Sequence, residues 1–222
     1  MRDRNEEAES PASYAAFTRR GEGEIRRRGS RFFALATPVT RESDVDSILE
    51  ETRSRYPDAG HHVFAYRIGL GVPRVRCSDD GEPSGTAGMP LLNLLEGREL
   101  TESLLVVSRI FGGTLLGKGG LVRAYTDAGR EALRRARPAL YVFGYSLRID
   151  VPYELWGAVE HGLHSRGHVP TDVNYGQSVR VDLWIPHDGR QDFTAWLADI
   201  SSGAIVPRER GTKYVARKVI KE

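Results

Sequence analysis

The chain has 222 residues, of which 40% are hydrophobic and 28% are charged, and its formal net charge is +2. This length and composition are those of a soluble globular protein with one large domain or two small ones. One cysteine excludes an internal disulfide framework and fits a reducing compartment, and no apolar run is long enough to span a membrane. We therefore expect a cytoplasmic protein that does not contact membranes.

The first part of the chain predicts a mixture of strands and helices. Residues 1–13 are charged and rich in acidic side chains, which excludes a secretory signal and predicts a disordered tail. The apolar spacing that follows predicts, in chain order, strand Tyr14–Arg20, a turn at Gly21 and Gly23, strand Glu24–Val39, helix Val45–Tyr56 capped by Ser43, strands His61–Leu70 and Arg74–Ser78, helix Met89–Leu95, strand Ser103–Phe111 and helix Gly117–Arg137.

The pattern stops at Pro138 and restarts as a second series of elements. In chain order these are strand Tyr141–Val151, helix Leu155–Leu163, strands His168–Tyr175 and Val179–Ile185, helix Phe193–Ile200, and a last strand from Ala204–Val206 and Lys213–Ile220. The order βαββαβ is that of a ferredoxin-like domain. We predict an α+β protein with an N-terminal α/β domain over residues 14–138 and a C-terminal ferredoxin-like domain over residues 139–222.

Two loops of the first domain are the candidate functional segments. The acidic loop, Ser78–Gly88, combines three carboxylates with hydroxyl side chains and glycines, and the glycine-rich loop, Phe111–Gly120, follows an apolar strand and opens a helix. Loops with such side chains on a rigid scaffold often carry function, whereas a solvated connector needs neither so many glycines nor so many polar groups. We expect the two loops to form one site.

The glycine-rich loop resembles a phosphate-binding P-loop, because Gly112 to Lys118 satisfies G-x-x-x-x-G-K. Gly119, however, stands where that motif requires a Ser or Thr hydroxyl for magnesium. What remains is a helix start whose free backbone N–H groups, with Lys118 among them, attract an anion. The alternative is that these glycines only permit close packing of strand and helix.

The acidic loop admits a metal or acid–base site. Two adjacent histidines on the predicted strand point to opposite faces, so one of them can meet the carboxylates of the loop. The side chains concerned are His61, His62, Asp79, Asp80 and Glu82. Clustered carboxylates can bind magnesium or share a raised pKa. The alternative is structural: the carboxylates cap helix N-termini and pair with Arg109 or Arg123. We predict no metal site.

The segment Arg26–Phe33 is the strongest basic cluster of the chain. It suits a solvated sheet edge, where charge discourages unwanted strand pairing. It equally suits a phosphate-contacting patch beside aromatic rings that can stack on bases.

The two loops resemble the hallmarks of the IMPACT/YigZ family at Ser78–Pro90 and Arg109–Tyr125. Supporting matches lie at Ser30–Phe32, Ala36–Val39 and His61–His62. The resemblance covers the first domain, and the remainder is similar to the C-terminal domain of bacterial members. Ile110 departs from the pattern by replacing an aromatic residue, which removes one ring for base stacking.

The resemblance implies a fold and a field of activity. The first domain resembles the second domain of a small-subunit ribosomal protein and domain IV of elongation factor G, and the second resembles the ferredoxin-like C-terminal domain of that factor. Family members are linked to translational control. Eukaryotic members act on an amino-acid-starvation kinase pathway through an additional N-terminal domain, and with a short segment before Tyr14 we do not expect that partner here.

These inferences lead to a non-enzymatic RNA- or ribosome-binding regulator of translation, with no cofactor, no catalytic residue and no DNA specificity. The predicted nucleic-acid contacts are Arg27, Arg28, Arg31, Phe32, Lys118, Arg123 and Tyr125. The predicted cleft residues are His61, His62, Ser78, Asp79, Asp80, Glu82, Ser84, Thr86, Arg109, Gly112, Gly113, Gly117, Gly119 and Gly120. Two alternatives stay open: a metal-dependent hydrolase or phosphotransfer enzyme using the carboxylates and histidines, and a regulator that binds only protein.

Overall fold

The computed structural model describes residues 11–219, except for the side chain of Lys218. Of the predicted tail, residues 1–10 lie outside the described residues, and Ser13 already begins the first strand. The chain divides into two compact units, one reaching to Tyr141 and resuming at Ala216, the other formed by Val142–Val215. Within residues 11–219, no helix combines the length and apolar character needed to cross a membrane.

The described residues form ten strands and five α-helices. In chain order these are β1 Ser13–Phe17, β2 Gly21–Arg27, β3 Ser30–Pro38, α1 Glu42–Arg55, β4 His61–Ile68, β5 Arg74–Ser78, α2 Gly88–Glu96, β6 Ser103–Ile110, α3 Lys118–Ala136, β7 Pro138–Val151, α4 Tyr153–Ser165, β8 Pro170–Tyr175, β9 Val179–Pro186, α5 Arg190–Ser201 and β10 Arg208–Val219.

The first unit is built on an antiparallel sheet of strand order β2-β3-β6-β4-β5. β6 lies at its centre, and its side chains alternate between two cores. Leu105 and Val107 pack with α2 and α3, while Leu104 and Val106 pack with α1. A strand covered on both faces needs apolar residues at every position, which explains the continuous apolar run of β6.

The register of this sheet gathers the candidate residues at one end. Arg109 near the end of β6 pairs with Phe32 of β3 on one side and with His61 of β4 on the other. The predicted hairpin of β4 and β5 is confirmed, and it delivers the acidic loop to the same end of the sheet, where Phe64 pairs with Ser78.

The predicted turn at Gly21 and Gly23 is wrong. Both residues lie inside β2, which is joined to β3 by a tight turn at Arg28 and Gly29 with φ angles of 47° and 82°. A Cβ atom on Gly21 would lie 2.2 Å from the backbone nitrogen of Ala136 in α3. This glycine is therefore needed for the close approach of a helix to the strand and not for a reversal of the chain.

The predicted cap of α1 is also wrong. The helix begins at Glu42, and its N-cap residue, Arg41, makes no side-chain capping hydrogen bond. Ser43 lies within the first turn, where its backbone carbonyl accepts a hydrogen bond from the Ser47 hydroxyl. The burial of Val45, Ile48 and Leu49 against the sheet therefore defines this helix, in line with the general dominance of tertiary packing over capping.

The second unit has the predicted βαββαβ order, formed by β7, α4, β8, β9, α5 and β10. Within it the strands are arranged β10-β7-β9-β8, and β9 is antiparallel to both β7 and β8. Leu147, Val181 and Phe193 belong to a core shared by strands and helices. The α+β prediction and its ferredoxin-like second part are confirmed by this topology.

Candidate functional site

A buried carboxylate of the acidic loop contacts the two elements that flank the glycine-rich loop. One oxygen of Glu82, Oε1, accepts a hydrogen bond from Arg109 Nη1 at 2.6 Å and another from the Tyr125 hydroxyl at 2.7 Å. The Glu82 and Arg109 side chains are only 3% and 7% exposed. Burial and the neighbouring carboxylate raise the pKa of Tyr125, so this phenol stays protonated and donates. The carboxylate thus joins the acidic loop to β6 and α3.

A second carboxylate organises the acidic loop itself. Asp79 accepts hydrogen bonds from the backbone N–H groups of Gly85, Ala87 and Gly88, at 2.8, 2.9 and 2.8 Å. The last two N–H groups stand at the start of α2, where donors have no partner within the helix. Partial burial disfavours the charged carboxylate, but the three backbone donors outweigh it and lower the pKa of Asp79.

Replacing Asp79 with asparagine is expected to lower the free energy of unfolding at pH 7 by about 1–3 kcal/mol, because the asparagine amide group turns a donor toward at least one of these N–H groups. The folded-state pKa lies below the unfolded value of about 3.9. The carboxylate therefore stabilises the fold above pH ~4, and the difference between the two proteins should shrink as the pH falls through the folded-state pKa. Amide hydrogen exchange in α2 at pH 7 and pH 3 measures this difference.

Asp58→Asn is the matched control for this substitution, because Asp58 is exposed and precedes β4 rather than joining the loop. It is expected to change the free energy of unfolding by less than about 0.5 kcal/mol at either pH. Equal effects of the two substitutions would contradict the structural role of Asp79.

The two histidines occupy different environments beside this loop. His61 Nδ1 lies 2.7 Å from the backbone oxygen of Asp80, so Nδ1 carries the proton and donates, and in the neutral ring Nε2 is an acceptor. That Nε2 lies 3.9 Å from Glu82 Oε1. His62 is buried, and its Nδ1 lies 2.8 Å from the Ser108 hydroxyl. Burial lowers the pKa of His62, although the nearby charge of Asp80 acts to raise it. The Asp80 carboxylate also accepts the backbone N–H of His62, so both histidines lie beside the acidic loop.

The remaining residues of the acidic loop are structural or exposed. The Ser78 hydroxyl accepts the backbone N–H of Asp80, and the buried Thr86 hydroxyl donates to the carbonyl of Pro83 at 2.6 Å. Ser84 is exposed at the tip. Within residues 11–219, no three His, Cys, Asp or Glu side chains converge in a group able to hold a metal ion.

The glycine-rich loop packs directly against the β2–β3 turn. A Cβ atom on Gly112 would lie 1.9 Å from the carbonyl carbon of Gly29 and 2.2 Å from the nitrogen of Ser30. The buried Ser30 hydroxyl accepts the Gly112 N–H at 3.1 Å and lies 3.4 Å from Arg109 Nη2. This contact places Arg28 beside the loop, where its Nη1 lies 3.5 Å from the carbonyl oxygen of Leu115.

A cleft of about 490 Å³ lies between the two loops. Acidic-loop residues form one wall, the glycine-rich loop and the start of α3 form the other, and Arg109 and His61 lie between them. The lining residues are His61, Gly81, Glu82, Pro83, Arg109, Phe111, Leu115, Leu116, Gly117, Lys118 and Leu121. Gly119 and Gly120 follow in the first turn of α3, and Gly113 is exposed beside Phe111. The lining is apolar along the loop, with charged groups at its floor and rim.

The predicted phosphate-contacting residues fall into two groups. Arg27 pairs with Asp127 at 3.0 Å, and Arg31 pairs with Glu24 at 3.1 Å. Arg28, Lys118 and Arg123 are exposed and have no carboxylate partner in the described part of the chain. The last two belong to the first turns of α3, so these three cations, which we call the rim cations, surround the glycine-rich loop.

The prediction that Phe32 or Tyr125 stacks on a base is wrong. Both rings have 0% exposure, and they pack edge to face with their centroids 5.2 Å apart. The ring that sequence reasoning missed is Phe111, which is 54% exposed and lines the cleft. The alternation of side chains along β6 could have indicated this ring, because Phe111 lies two residues beyond Arg109 and therefore faces the same side of the sheet.

Family profiles match both units. A profile described as the Impact N-terminal domain matches residues 28–133, a range that contains every predicted cleft residue. A second profile, described as "Domain of unknown function (DUF1949)", matches residues 149–204 of the second unit.

Individual relatives match over most of their length. The chain is 30% identical to "IMPACT family member YvyE" of Bacillus subtilis, across 93% of this chain and 95% of the relative. It is 32% identical to "IMPACT family member YigZ" of Escherichia coli, across 79% and 87% of the two chains. A crystal structure described as that of a hypothetical protein aligns with a TM-score of 0.58 at 29% identity, covering 89% of this chain and 97% of that one.

Proposed function

The chain belongs to the IMPACT family, and on this premise we propose that it is a non-enzymatic regulator of translation that binds RNA or the ribosome. The link of this family to translational control supports a role in translation. The chemistry of the first unit supplies the mode of binding, and the observation that carries it is the arrangement of the rim cations.

The rim cations suit a phosphate backbone. Arg28, Lys118 and Arg123 are exposed around one loop without a carboxylate partner among the described residues. Lysine and arginine side chains that neutralise phosphates release counterions, and this release dominates the affinity of sequence-independent RNA binding. Of the two predicted arginines that pair with Asp127 and Glu24, Arg27 is exposed and Arg31 is half-buried, and they lie along β2 and β3.

The acidic loop does not oppose this surface as strongly as its sequence indicates. The charge of Glu82 is offset by Arg109 inside the protein, and the carboxylate of Asp79 faces three backbone N–H groups. Asp80 is exposed, but one of its oxygens accepts the His62 N–H. These contacts turn the carboxylates toward the protein and give the loop a scaffolding role.

The same contacts weigh against the hydrolase or phosphotransfer alternative. A metal-dependent mechanism needs carboxylates free to coordinate an ion, whereas Asp79 and Glu82 are engaged by donors of the protein. A regulator that binds only protein would not need unpaired cations around an anion-attracting helix start. We therefore favour RNA, and we retain the other two as outcomes of the test.

The test measures binding of a fluorescent single-stranded RNA by anisotropy across a series of salt concentrations. Changing Arg28, Lys118 and Arg123 together to glutamine is expected to weaken binding by about tenfold or more at low salt. It should also lower the slope of log K against log salt by about 2, since each phosphate contact on a single strand contributes about 0.7. Sedimentation of lysate with and without ribonuclease then shows whether the same variant leaves the ribosomal fractions.

The matched control changes three arginines on or near α1, Arg41, Arg53 and Arg74, to glutamine. Each is exposed and pairs with a surface carboxylate on the other face of the sheet. This variant has the same net charge as the first, so equal weakening of RNA binding by both would contradict a localised site. No RNA binding by the wild-type protein, with salt-insensitive capture of a protein partner instead, would overturn the proposed function.

A further inference from the structure

Phe111 offers the cleft an open aromatic surface. Its ring is 54% exposed, and the guanidinium carbon of Arg109 lies 5.5 Å from its centroid, a geometry that holds the ring by a cation–π contact. Leu115, Leu116 and Pro83 line the same cleft. A flat ligand of one base fits a cleft of about 490 Å³ between an aromatic ring and apolar walls.

The rim of the cleft offers donors to an anion. α3 begins at Lys118 after Gly117, and the first N–H groups of a helix have no partner within it. The partial positive charge of a helix start attracts an anion, and Lys118 is the first residue of this helix and lines the cleft. This end of the cleft suits a phosphate.

The floor of the cleft contains a buried polar group without a hydrogen-bond partner, which indicates a ligand-binding site. Arg109 lines the cleft with a side chain that is 7% exposed, and its Nε–H is buried with no hydrogen-bond partner in the described part of the chain. A buried donor without a partner is unfavourable, so an acceptor atom supplied by a ligand would remove that cost. His61 lines the same part of the cleft, and in its neutral ring Nε2 is an acceptor. A nucleoside presents both donors and acceptors, whereas inorganic phosphate at neutral pH presents mainly acceptors.

We propose that the cleft binds one nucleoside phosphate unit, with its base against Phe111, its phosphate at Lys118 and the start of α3, and its polar edge at Arg109 and His61. The inference deepens the proposed function, because it identifies the part of a single-stranded RNA that the protein holds. The same chemistry is shared by a free mononucleotide.

The experiment titrates the isotopically labelled full-length protein with AMP, adenosine and inorganic phosphate, followed by amide NMR. AMP is expected to bind more tightly than adenosine or phosphate and to shift the signals of Phe111 and of Lys118–Gly120. Phe111→Leu keeps an apolar side chain and should weaken AMP about fivefold or more, the effect of losing one base–aromatic stack, without changing phosphate binding. Lys118→Gln should weaken the binding of AMP and of phosphate and leave the binding of adenosine unchanged.

Tyr175→Leu is the matched control, since Tyr175 is a 62% exposed ring in the second unit, and it should leave AMP binding unchanged. The inference is overturned if AMP binds no more tightly than phosphate, or if Phe111→Leu binds AMP as the wild type does.

Titration with a ten-nucleotide single-stranded RNA shows whether the bound nucleotide belongs to RNA or is a free mononucleotide. It also tests the proposed function and the cleft assignment separately. Competition between this RNA and AMP identifies the RNA as a source of the nucleotide. AMP binding without RNA binding leaves the cleft assigned to a free mononucleotide and overturns only the proposed function. RNA binding that survives Phe111→Leu, with no AMP shift in the cleft, overturns only the cleft assignment.

Discussion

Replacing Glu82 with alanine is expected to lower the free energy of unfolding of the first unit by about 3–5 kcal/mol. The substitution leaves the Arg109 guanidinium buried without its carboxylate, and arginine cannot lose its proton to escape the cost. It also deprives the buried Tyr125 hydroxyl of its acceptor. Amide hydrogen exchange of β6 measures the effect. Tryptophan fluorescence does not serve, because Trp156, Trp184 and Trp196 all lie in the second unit.

Two further variants test whether the buried, unpaired charge of Arg109 causes the loss of stability. Glu24→Ala removes a carboxylate that is 38% exposed and pairs with Arg31, so it should cost less than about 1 kcal/mol. The double variant Glu82→Ala with Arg109→Met should cost less than Glu82→Ala alone, because no buried charge remains. A single variant as stable as Glu24→Ala, or a double variant less stable than the single, would contradict the interpretation.

Gly112→Ala is expected to cost about 3 kcal/mol or more, or to move the glycine-rich loop away from the β2–β3 turn. The added methyl would overlap backbone atoms of Gly29 and Ser30 at 1.9–2.3 Å, and neither can yield as a flexible side chain would. Separation breaks the hydrogen bond from Gly112 N–H to the Ser30 hydroxyl and moves Arg28 away from the glycine-rich loop. Hydrogen exchange of β3 and the RNA anisotropy assay measure the two consequences.

Gly113→Ala is the control for backbone strain without overlap. Gly113 has a φ of 81°, and a methyl group added there would meet no atom within 4 Å, so alanine should cost only about 1–2 kcal/mol for a left-handed conformation. Equal losses of unfolding free energy from Gly112→Ala and Gly113→Ala would contradict a cost from overlap between the loop and the β2–β3 turn.

Most of the scaffold could be predicted from the sequence, because periodic apolar residues report directly on burial. β4, β5, α2, β6 and α3 lie within one or two residues of their predicted bounds, and the pairing of the acidic loop with Arg109 is one of the alternatives that the sequence leaves open. The glycines of β2 are misleading, because a glycine required by a neighbouring helix and a glycine required by a turn look alike in sequence.

The candidate site was less predictable, since a residue type does not determine which side of a strand it faces. Phe32 and Tyr125 are aromatic residues within two positions of charged ones, and only the fold shows that their rings pack on each other in the core. Phe111 sits at the last point of strand alternation, where the chain leaves the sheet and its ring is exposed. The sorting of arginines into paired and unpaired groups likewise depends on contacts between distant segments, such as Arg27 with Asp127.

The Glu82 carboxylate has a consequence for biosynthesis. Its two partners are contributed 27 and 43 positions later in the chain. A nascent polypeptide that has emerged only as far as the acidic loop lacks both of these partners, so the loop does not reach its native conformation until α3 has been translated and has docked. The cleft between the two loops therefore forms only when the whole first unit has been synthesised and has folded.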